Sequence, residues 1–436
     1  GLPTLTPSST PDVLRTPLAL SSNSITLLDS DFQYPEVYSW FVGFQREVLD
    51  GSVLEINYIG KRGVHLFGGY DANQVNLNAT DPRCPGQTVL SAFREAQDTT
   101  TTANCLMTLL NGTNGTPSSL AAFRSTFSSQ LNLNAVASVA QTFAQRSGTT
   151  SLTANGFSPF FLMRYPQFTG GMNVLDSNDV SMYNALEVIL RRRLKSGISL
   201  QLSYTLAKSM DTRSFDPTFT TVSRGTNQSA SSTPFDNNNR SGNYAWSDFD
   251  RRHALQGLYL VELPFGRGRK FAGDIPKALD YLIGGWQISG TMNIASGRPF
   301  TVYSGANTFS QVVQSPADCT GCSRNMGTLI QENGTNYWFA VADRAKFTNP
   351  AAGTLGNTGR NYFIGPRRFE MDMSLSKNIK LTERFNFDLR ADAKNVFNVK
   401  HFGFPTAIRN SSTFGRIRDA VNSSSRRIQL SVKVNF

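Results

Sequence analysis

The 436-residue sequence is poor in charge and almost devoid of histidine. Asp, Glu, Lys and Arg together make up 17% of it, below the roughly 25% usual for soluble domains. Only His65, His253 and His401 are available as imidazole ligands or bases. No stretch approaches 18 consecutive apolar residues, which excludes a membrane-spanning helix. No positively charged start leads into an apolar run, so a signal peptide has been removed or lies outside this sequence. No Ser/His/Asp, Cys/His or paired-carboxylate constellation appears, so neither catalysis nor a cofactor is expected. Against these absences stand 31 Phe and an aromatic content of 11%, which rule out a disordered chain.

The formal net charge is +11. Such a balance raises nucleic acid as a partner. The basic residues are scattered, however, and the one tight cluster is Arg191, Arg192 and Arg193. With no zinc finger, RNA-recognition signature or long basic run, nucleic-acid binding is not expected.

The four cysteines fall in two close pairs, Cys84 with Cys105 and Cys319 with Cys322, inside polar, turn-rich stretches. An even count in such segments fits two loop disulfides formed in an oxidising compartment. Cys319-Thr-Gly-Cys322 also reads as a redox CxxC or half a zinc site. No second CxxC follows, and no strand-then-helix pattern surrounds it.

The dominant signal is alternation of apolar and polar residues. In Ile428, Leu430, Val432, Val434 and Phe436 every second residue is apolar. Side chains of a strand point alternately to opposite faces, so this is a strand with one greasy and one wet face. The same pattern covers 385–393, 369–376, 198–206 and 286–294. Weaker versions cover Ser39–Val48, Val53–Ile59, Asn184–Arg193 and Ala254–Leu263. That makes nine candidate strands.

Three connections are tight: Leu49-Asp50-Gly51, Lys195-Ser196-Gly197 and Lys380-Leu381-Thr382. The first two place Gly where a hairpin needs positive φ. A medium connection runs through Pro264-Phe265-Gly266-Arg267-Gly268. The others are long, at about 62–182, 210–250, 298–367 and 397–424. Helix-like pieces at Thr88–Gln97 and Leu133–Gln145 lie in the first of them. Short turns at one end and long loops at the other describe an outer-membrane barrel.

Apolar faces must coincide in an antiparallel pair, because a one-residue slip flips every side chain. The first hairpin, centred on Asp50, then sets Phe44 opposite Ile56 and Val42 opposite Tyr58. A turn centred on Leu381 sets Asp372 opposite Arg390, Met373 opposite Leu389 and Leu375 opposite Phe387. Shifting that centre by one residue either way would oppose two aspartates.

Alternation alone does not say which face is buried. A soluble sandwich seals its apolar face in a core, whereas a membrane barrel turns that face to lipid. Strands of nine to eleven residues suit a tilted crossing of the bilayer. Aromatics gather near strand ends (Tyr38, Trp40, Tyr58, Trp286, Phe385 and Phe436), as an interfacial girdle requires. Charges such as Glu370, Asp372, Arg390 and Asp392 share the wet faces and suit a water-filled lumen. The expected fold is all-β: part of an antiparallel up-and-down transmembrane barrel, about nine or ten strands of a larger one. Residues 1–36 form an irregular lead-in, and 37–436 form the barrel portion with its long loops.

A series of short motifs supports this in order. It runs from Tyr58-Ile59-Gly60-Lys61-Arg62-Gly63 and Tyr165-Pro166-Gln167-Phe168 to Tyr183-Asn184-Ala185-Leu186 and Ser203-Tyr204-Thr205-Leu206-Ala207-Lys208-Ser209. Ser247-Asp248-Phe249-Asp250-Arg251-Arg252-His253 and Leu263-Pro264-Phe265-Gly266-Arg267-Gly268 follow. Gly284-Gly285-Trp286-Gln287-Ile288-Ser289-Gly290, Ser296-Gly297-Arg298-Pro299-Phe300 and Asn395-Val396-Phe397-Asn398 complete it. In this set the chain resembles the C-terminal barrel half of Oar-like TonB-dependent outer-membrane receptors. The resemblance implies a 22-stranded barrel, an N-terminal plug, a box that contacts TonB and a carboxypeptidase-regulatory-like sandwich ahead of the plug. None of the last three is visible here, and nine strands do not make the full wall. The chain is therefore expected to be part of a longer receptor, or to share its wall with another chain.

The resemblance further implies a bacterial outer-membrane location, with tight turns periplasmic and long loops extracellular. Its partners would be outer-membrane lipid, TonB through an N-terminal part, and an extracellular ligand held by the loops. Ile428, Leu430, Val432, Val434 and Phe436 look like the signal read by the barrel assembly machinery. A β-rich surface adhesin and a passive porin-like pore are the alternative readings. Of the individual residues, Arg251, Arg252 and His253 read as the start of a strand at the rim, and Arg191–Arg193 as a solvated face. Asp372 and Arg390 read as a lumenal cross-strand pair. Trp338 and Phe339 lie in a long loop, where ligand contact is open.

Overall fold

The computed structural model describes residues 24–214, 233–380, 386–418 and 425–435. Nine long strands follow one another across a single sheet: β1 (Glu36–Leu49), β2 (Ser52–Asp71), β3 (Gly171–Lys195), β4 (Ile198–Asp211), β5 (His253–Glu262), β6 (Trp286–Ala295), β7 (Arg368–Lys380), β8 (Asn386–Lys394) and β9 (Arg427–Asn435). Every neighbouring pair among the nine is antiparallel. All nine expected strands are present in chain order. Strands β2 and β3 run much further than their alternation suggested, to 20 and 25 residues. Strands β1 and β9 are not hydrogen-bonded to each other, so the sheet is open. Within the expected irregular lead-in, Ser24–Leu28 forms a short strand paired in parallel with Gly171–Leu175.

Register keeps one face apolar throughout. Val42 faces Tyr58, Tyr58 faces Leu186, and Leu186 faces Leu206. Leu202 faces Gly257, Gly257 faces Met292, and Met292 faces Met371. Leu375 faces Ala391, and Ala391 faces Leu430. The pleat therefore puts the polar partners of all nine strands together on the other side.

Tight turns set two of these registers. Gly51 and Gly197 have φ of +73° and +77°, a conformation that L side chains resist. Phe44 does face Ile56, and Val42 does face Tyr58. The β7–β8 register differs from expectation. Met373 faces Ala393, so the pairing centres on 383 and not 381. Leu389 lies opposite Lys377, Phe387 opposite Ile379, and Arg390 opposite Ser376. Parity is preserved because the shift is two residues, and Asn378 donates a hydrogen bond to Asp388 in the register adopted. The expected turn at Leu381 and Thr382, and Phe385 beside it, lie outside the described residues, as does Phe436.

The long connections fold. Between β2 and β3 lie α1 (Val89–Gln97), α2 (Cys105–Leu110), α3 (Leu120–Thr126), α4 (Ser128–Asn132) and α5 (Val136–Gln145). Helix α1 starts at a reciprocal cap: Thr88 Oγ1 accepts from the Ser91 N–H at 3.0 Å, and Ser91 Oγ accepts from the Thr88 N–H at 2.9 Å, which satisfies donors that would otherwise be orphaned. The five helices enclose a core of Phe93, Leu106, Met107, Phe123, Val136 and Phe143, all essentially inaccessible. Each such side chain stabilises by roughly 1.5–3 kcal/mol relative to exposure. A second core in the 298–367 and 397–424 connections gathers Phe300, Phe339, Phe347, Phe363 and Phe414. Among the described residues no helix is long and apolar enough to cross a membrane.

Candidate functional site: the polar concavity and the loop body

The sheet curls around its polar face. A cavity of about 1100 Å³ is lined by residues of all nine strands, among them Gln45 of β1, Arg191, Gln201, Thr291, Asp372, Arg390 and Gln429 of β9. A flat sheet could not bring its first and last strands to one cavity. The apolar face is consequently the convex one. Its side chains are widely exposed, as with Val42 at 69%, Leu430 at 76% and Val432 at 67%.

Charges inside the concavity neutralise one another locally. Arg191 of β3 pairs with Glu55 of β2. Arg390 pairs with Asp392, two residues along its own strand, at 2.8 Å. The expected Asp372–Arg390 pair is therefore not formed. Asp372 Oδ1 instead accepts from the backbone N–H of Asn395 at 2.8 Å, at the end of β8. The five-residue β7–β8 connection moved Arg390 four positions along the facing strand. Exposed pairs of this kind contribute at most about 1 kcal/mol, so the concavity is a hydrated, charge-balanced surface.

At the long-loop end the connections pack together. The Val75 N–H donates to Gln311 Oε1 at 3.0 Å, and Gln311 Nε2 donates to the Asn73 carbonyl at 2.9 Å. The Ala137 N–H donates to the Asn307 carbonyl at 3.1 Å, and the Gly353 N–H to Thr308 at 2.7 Å. Ala352, from the 298–367 connection, completes the helical core. The loop body is anchored to the sheet by buried charge. Arg360, 1% exposed, pairs with Asp211 at the end of β4, 4% exposed. Its Nε donates to the Asn243 carbonyl at 3.0 Å, and its Nη1 to Ser214 Oγ at 3.2 Å. Arg213 pairs with Asp179 at 2.6 Å, and Arg240 pairs with Asp176.

The residues singled out in sequence find structural employment. Arg251 Nη1 donates to the Ser296 carbonyl at 2.7 Å, and Arg252 Nη1 lies 3.4 Å from the Ala207 carbonyl. His253 Nδ1 and the Tyr204 hydroxyl are 2.8 Å apart. This triplet fastens the start of β5 at the rim. Asp250 just before it accepts from the Ser209 N–H at 2.7 Å. Burial pushes its carboxyl above the usual carboxylate range, against the pull of that bond and of Arg324, Arg252 and Lys208. Phe339 is fully buried in the second loop core, and Trp338 Nε1 donates to the Ile364 carbonyl at 3.0 Å; both hold the loop together. Disulfides join Cys84 to Cys105 and Cys319 to Cys322, with Cα atoms 5.6 and 5.7 Å apart. Cys84 and Cys319 are buried within the two loop cores. Ile428, Leu430, Val432 and Val434 stand in a row on the convex face. Among the described residues, no group of three or more His, Cys, Asp and Glu could hold a metal ion.

A sheet greasy on its convex side, wet on its concave side and long-looped at one end is built for a bilayer. The outer membrane beta barrel domain family matches residues 1–429. The chain belongs to that family. The barrel domain is accordingly a protein of the bacterial outer membrane. Among solved structures it is similar to the outer membrane transporter YddB from Escherichia coli, at 9% identity and a TM-score of 0.38. That similarity covers 95% of this chain and 35% of the transporter, so the barrel domain spans about a third of that protein's length. No curated protein matches its sequence significantly.

Proposed function

We propose that the barrel domain is part of the wall of an Oar-like, TonB-dependent receptor. It binds an extracellular ligand through its long loops and passes it toward the periplasm without catalysis. In this reading residues 37–436 are the barrel portion. The 62–182, 210–250, 298–367 and 397–424 connections form its outer surface, and the tight turns face the periplasm. The observation that carries it is the folded loop body at one end of the polar concavity, cross-linked by disulfides and anchored by Arg360. A structural wall alone has no use for two hydrophobic cores in its loops. Among the described residues the outer edges of β1 and β9 have no strand partner, which is costly in lipid, where every backbone polar group needs one. Further strands therefore complete the wall, and an N-terminal part supplies the contact with TonB. Membrane lipid and the barrel assembly machinery are the other partners, the latter reading the sequence Ile428, Leu430, Val432, Val434 and Phe436; nucleic acid is not one.

Labelling tests the orientation. Cysteines introduced at Gly115 in the helical loop and Gly268 in the β5–β6 connection are exposed to an impermeant maleimide on intact cells expressing the complete protein. The reading requires Gly115→Cys to react on intact cells and Gly268→Cys only after permeabilisation. The reverse pattern overturns it. Conductance in planar bilayers without an energy source would instead favour the passive-pore alternative.

A further inference from the structure

The connection between β5 and β6 does not match the other short-end turns. Residues 263–285 fold into a compact element with helix α6 (Lys277–Ile283). The Phe271 N–H donates to the Pro264 carbonyl at 2.9 Å, and the Phe265 and Phe271 rings lie 5.5 Å apart. Asp280 Oδ1 accepts from the Arg267 N–H at 2.7 Å, which fixes the helix to that turn. Such a well-made element would be expected to bury its apolar residues. Instead Phe265, Phe271, Leu279, Leu282 and Ile283 are all exposed, Leu282 to 71%.

Position explains the exposure. Trp286, at the start of β6, stands on the apolar face beside Lys377, whose Nζ lies 5.2 Å from the indole centroid. The indole N–H donates to the Leu282 carbonyl at 2.9 Å, so the end of α6 is tied to the lipid-facing wall. Leu279, Leu282 and Ile283 follow the i, i+3, i+4 spacing of one helical stripe, and the indole hydrogen bond holds the end of that stripe beside the convex face. The same 23 residues carry Arg267, Arg269, Lys270 and Lys277 against Asp274 and Asp280, a net charge of +2. Apolar side chains beside cations, adjoining a Trp at the edge of a hydrocarbon belt, suit the headgroup layer of a membrane.

We propose that residues 263–285 are an interfacial anchor, seated in the leaflet at the short-turn end and binding the phosphates of anionic phospholipid. The proposal rests on the outer-membrane placement of the barrel domain. It assigns the connection a lipid surface, and not a protein, as its occupant.

The test uses the complete protein reconstituted in phosphatidylethanolamine vesicles with increasing phosphatidylglycerol. An environment-sensitive fluorophore is attached to Leu282→Cys or, as a second site, Leu279→Cys, and for reference to Leu202→Cys at mid-wall. Lipids carrying a quencher near the headgroup should quench the Leu282 probe at least twofold more than lipids quenching deep in the chains, with the opposite preference at Leu202. Phosphatidylglycerol should raise emission at Leu282, and Lys270→Gln or Lys277→Gln should each raise the half-maximal fraction about fivefold. A Leu202 probe quenched normally beside unquenched Leu282 and Leu279 probes overturns the anchor and spares the wall. Emission indifferent to phosphatidylglycerol overturns the headgroup assignment. A Leu202 probe that no lipid quenches overturns the membrane placement itself, and the anchor with it.

Discussion

The Arg360 clamp separates the stability of the loop body from that of the wall. Its guanidinium is buried against Asp211 and also holds the Asn243 carbonyl and Ser214 Oγ. The Arg360→Met variant leaves the Asp211 carboxylate buried, with Ser214 Oγ at 2.9 Å still donating to it. Breaking a buried pair on one side costs about 3–5 kcal/mol. Arg360 meets the wall at the last residue of β4, where its Nη2 donates to both the carbonyl and the carboxylate of Asp211, so the loss should appear as local opening of the loops. Amide exchange in 236–250 and 298–367 should accelerate about 10²- to 10⁴-fold, while β3 and the body of β4 exchange as before. Pairing Arg360→Met with Asp211→Asn should restore part of the protection, because the stranded charge is gone. Loop exchange within tenfold of the parent, or wall strands opening in step with the loops, would show that Arg360 does not clamp the loop body independently of the wall.

Further outcomes are expected elsewhere. The Leu202→Lys variant, which puts an ammonium on the convex face, should lose about 2–4 kcal/mol of folding stability in bilayers, whereas Ser203→Lys, facing the concavity, should lose little; urea titration in vesicles compares them. A Cβ at Gly60 would lie 2.0 Å from the Trp40 ring across the β1–β2 pair, so Gly60→Leu should displace the indole and blue- or red-shift Trp emission while costing on the order of 1–3 kcal/mol. The raised carboxyl of Asp250 favours its protonated form in the fold. Its contribution is therefore fullest below the unfolded value near 3.9 and is lost as pH rises toward the folded one. The Asp250→Asn variant keeps an acceptor for Ser209 and should flatten the pH dependence of the heat-modifiable gel transition above the ordinary carboxylate value of about 3.9.

The wall was legible because strand side chains alternate strictly. Met371 and Met373 or Leu200 and Leu202 announce their face without reference to any partner. Register was legible where the turn carried its own chemistry, as Gly51 does. Residues 380–384, with Lys, Leu, Thr, Glu and Arg in succession, carry no such marker. Several registers there keep the apolar faces aligned, and the five-residue connection prevailed over the shorter one. In the loops, the spacing of Leu120, Phe123 and Phe127 carries a helical signal that a strand-centred reading passes over. The roles of Phe339 and Arg360 had no local signal. Phe339 is buried by Phe300, Phe347 and Phe414 from distant turns, and Arg360 meets an aspartate 149 positions earlier.

In a bilayer the convex apolar face should meet hydrocarbon. Nitroxides placed in turn along β6 in bilayers test it directly. Collision with dissolved oxygen should dominate at Ile288, Gly290, Met292 and Ile294, and collision with a water-soluble nickel reagent at Gln287, Ser289, Thr291 and Asn293. Protection of the first set from both reagents would mean that those side chains are sealed inside protein and that the convex face does not meet lipid.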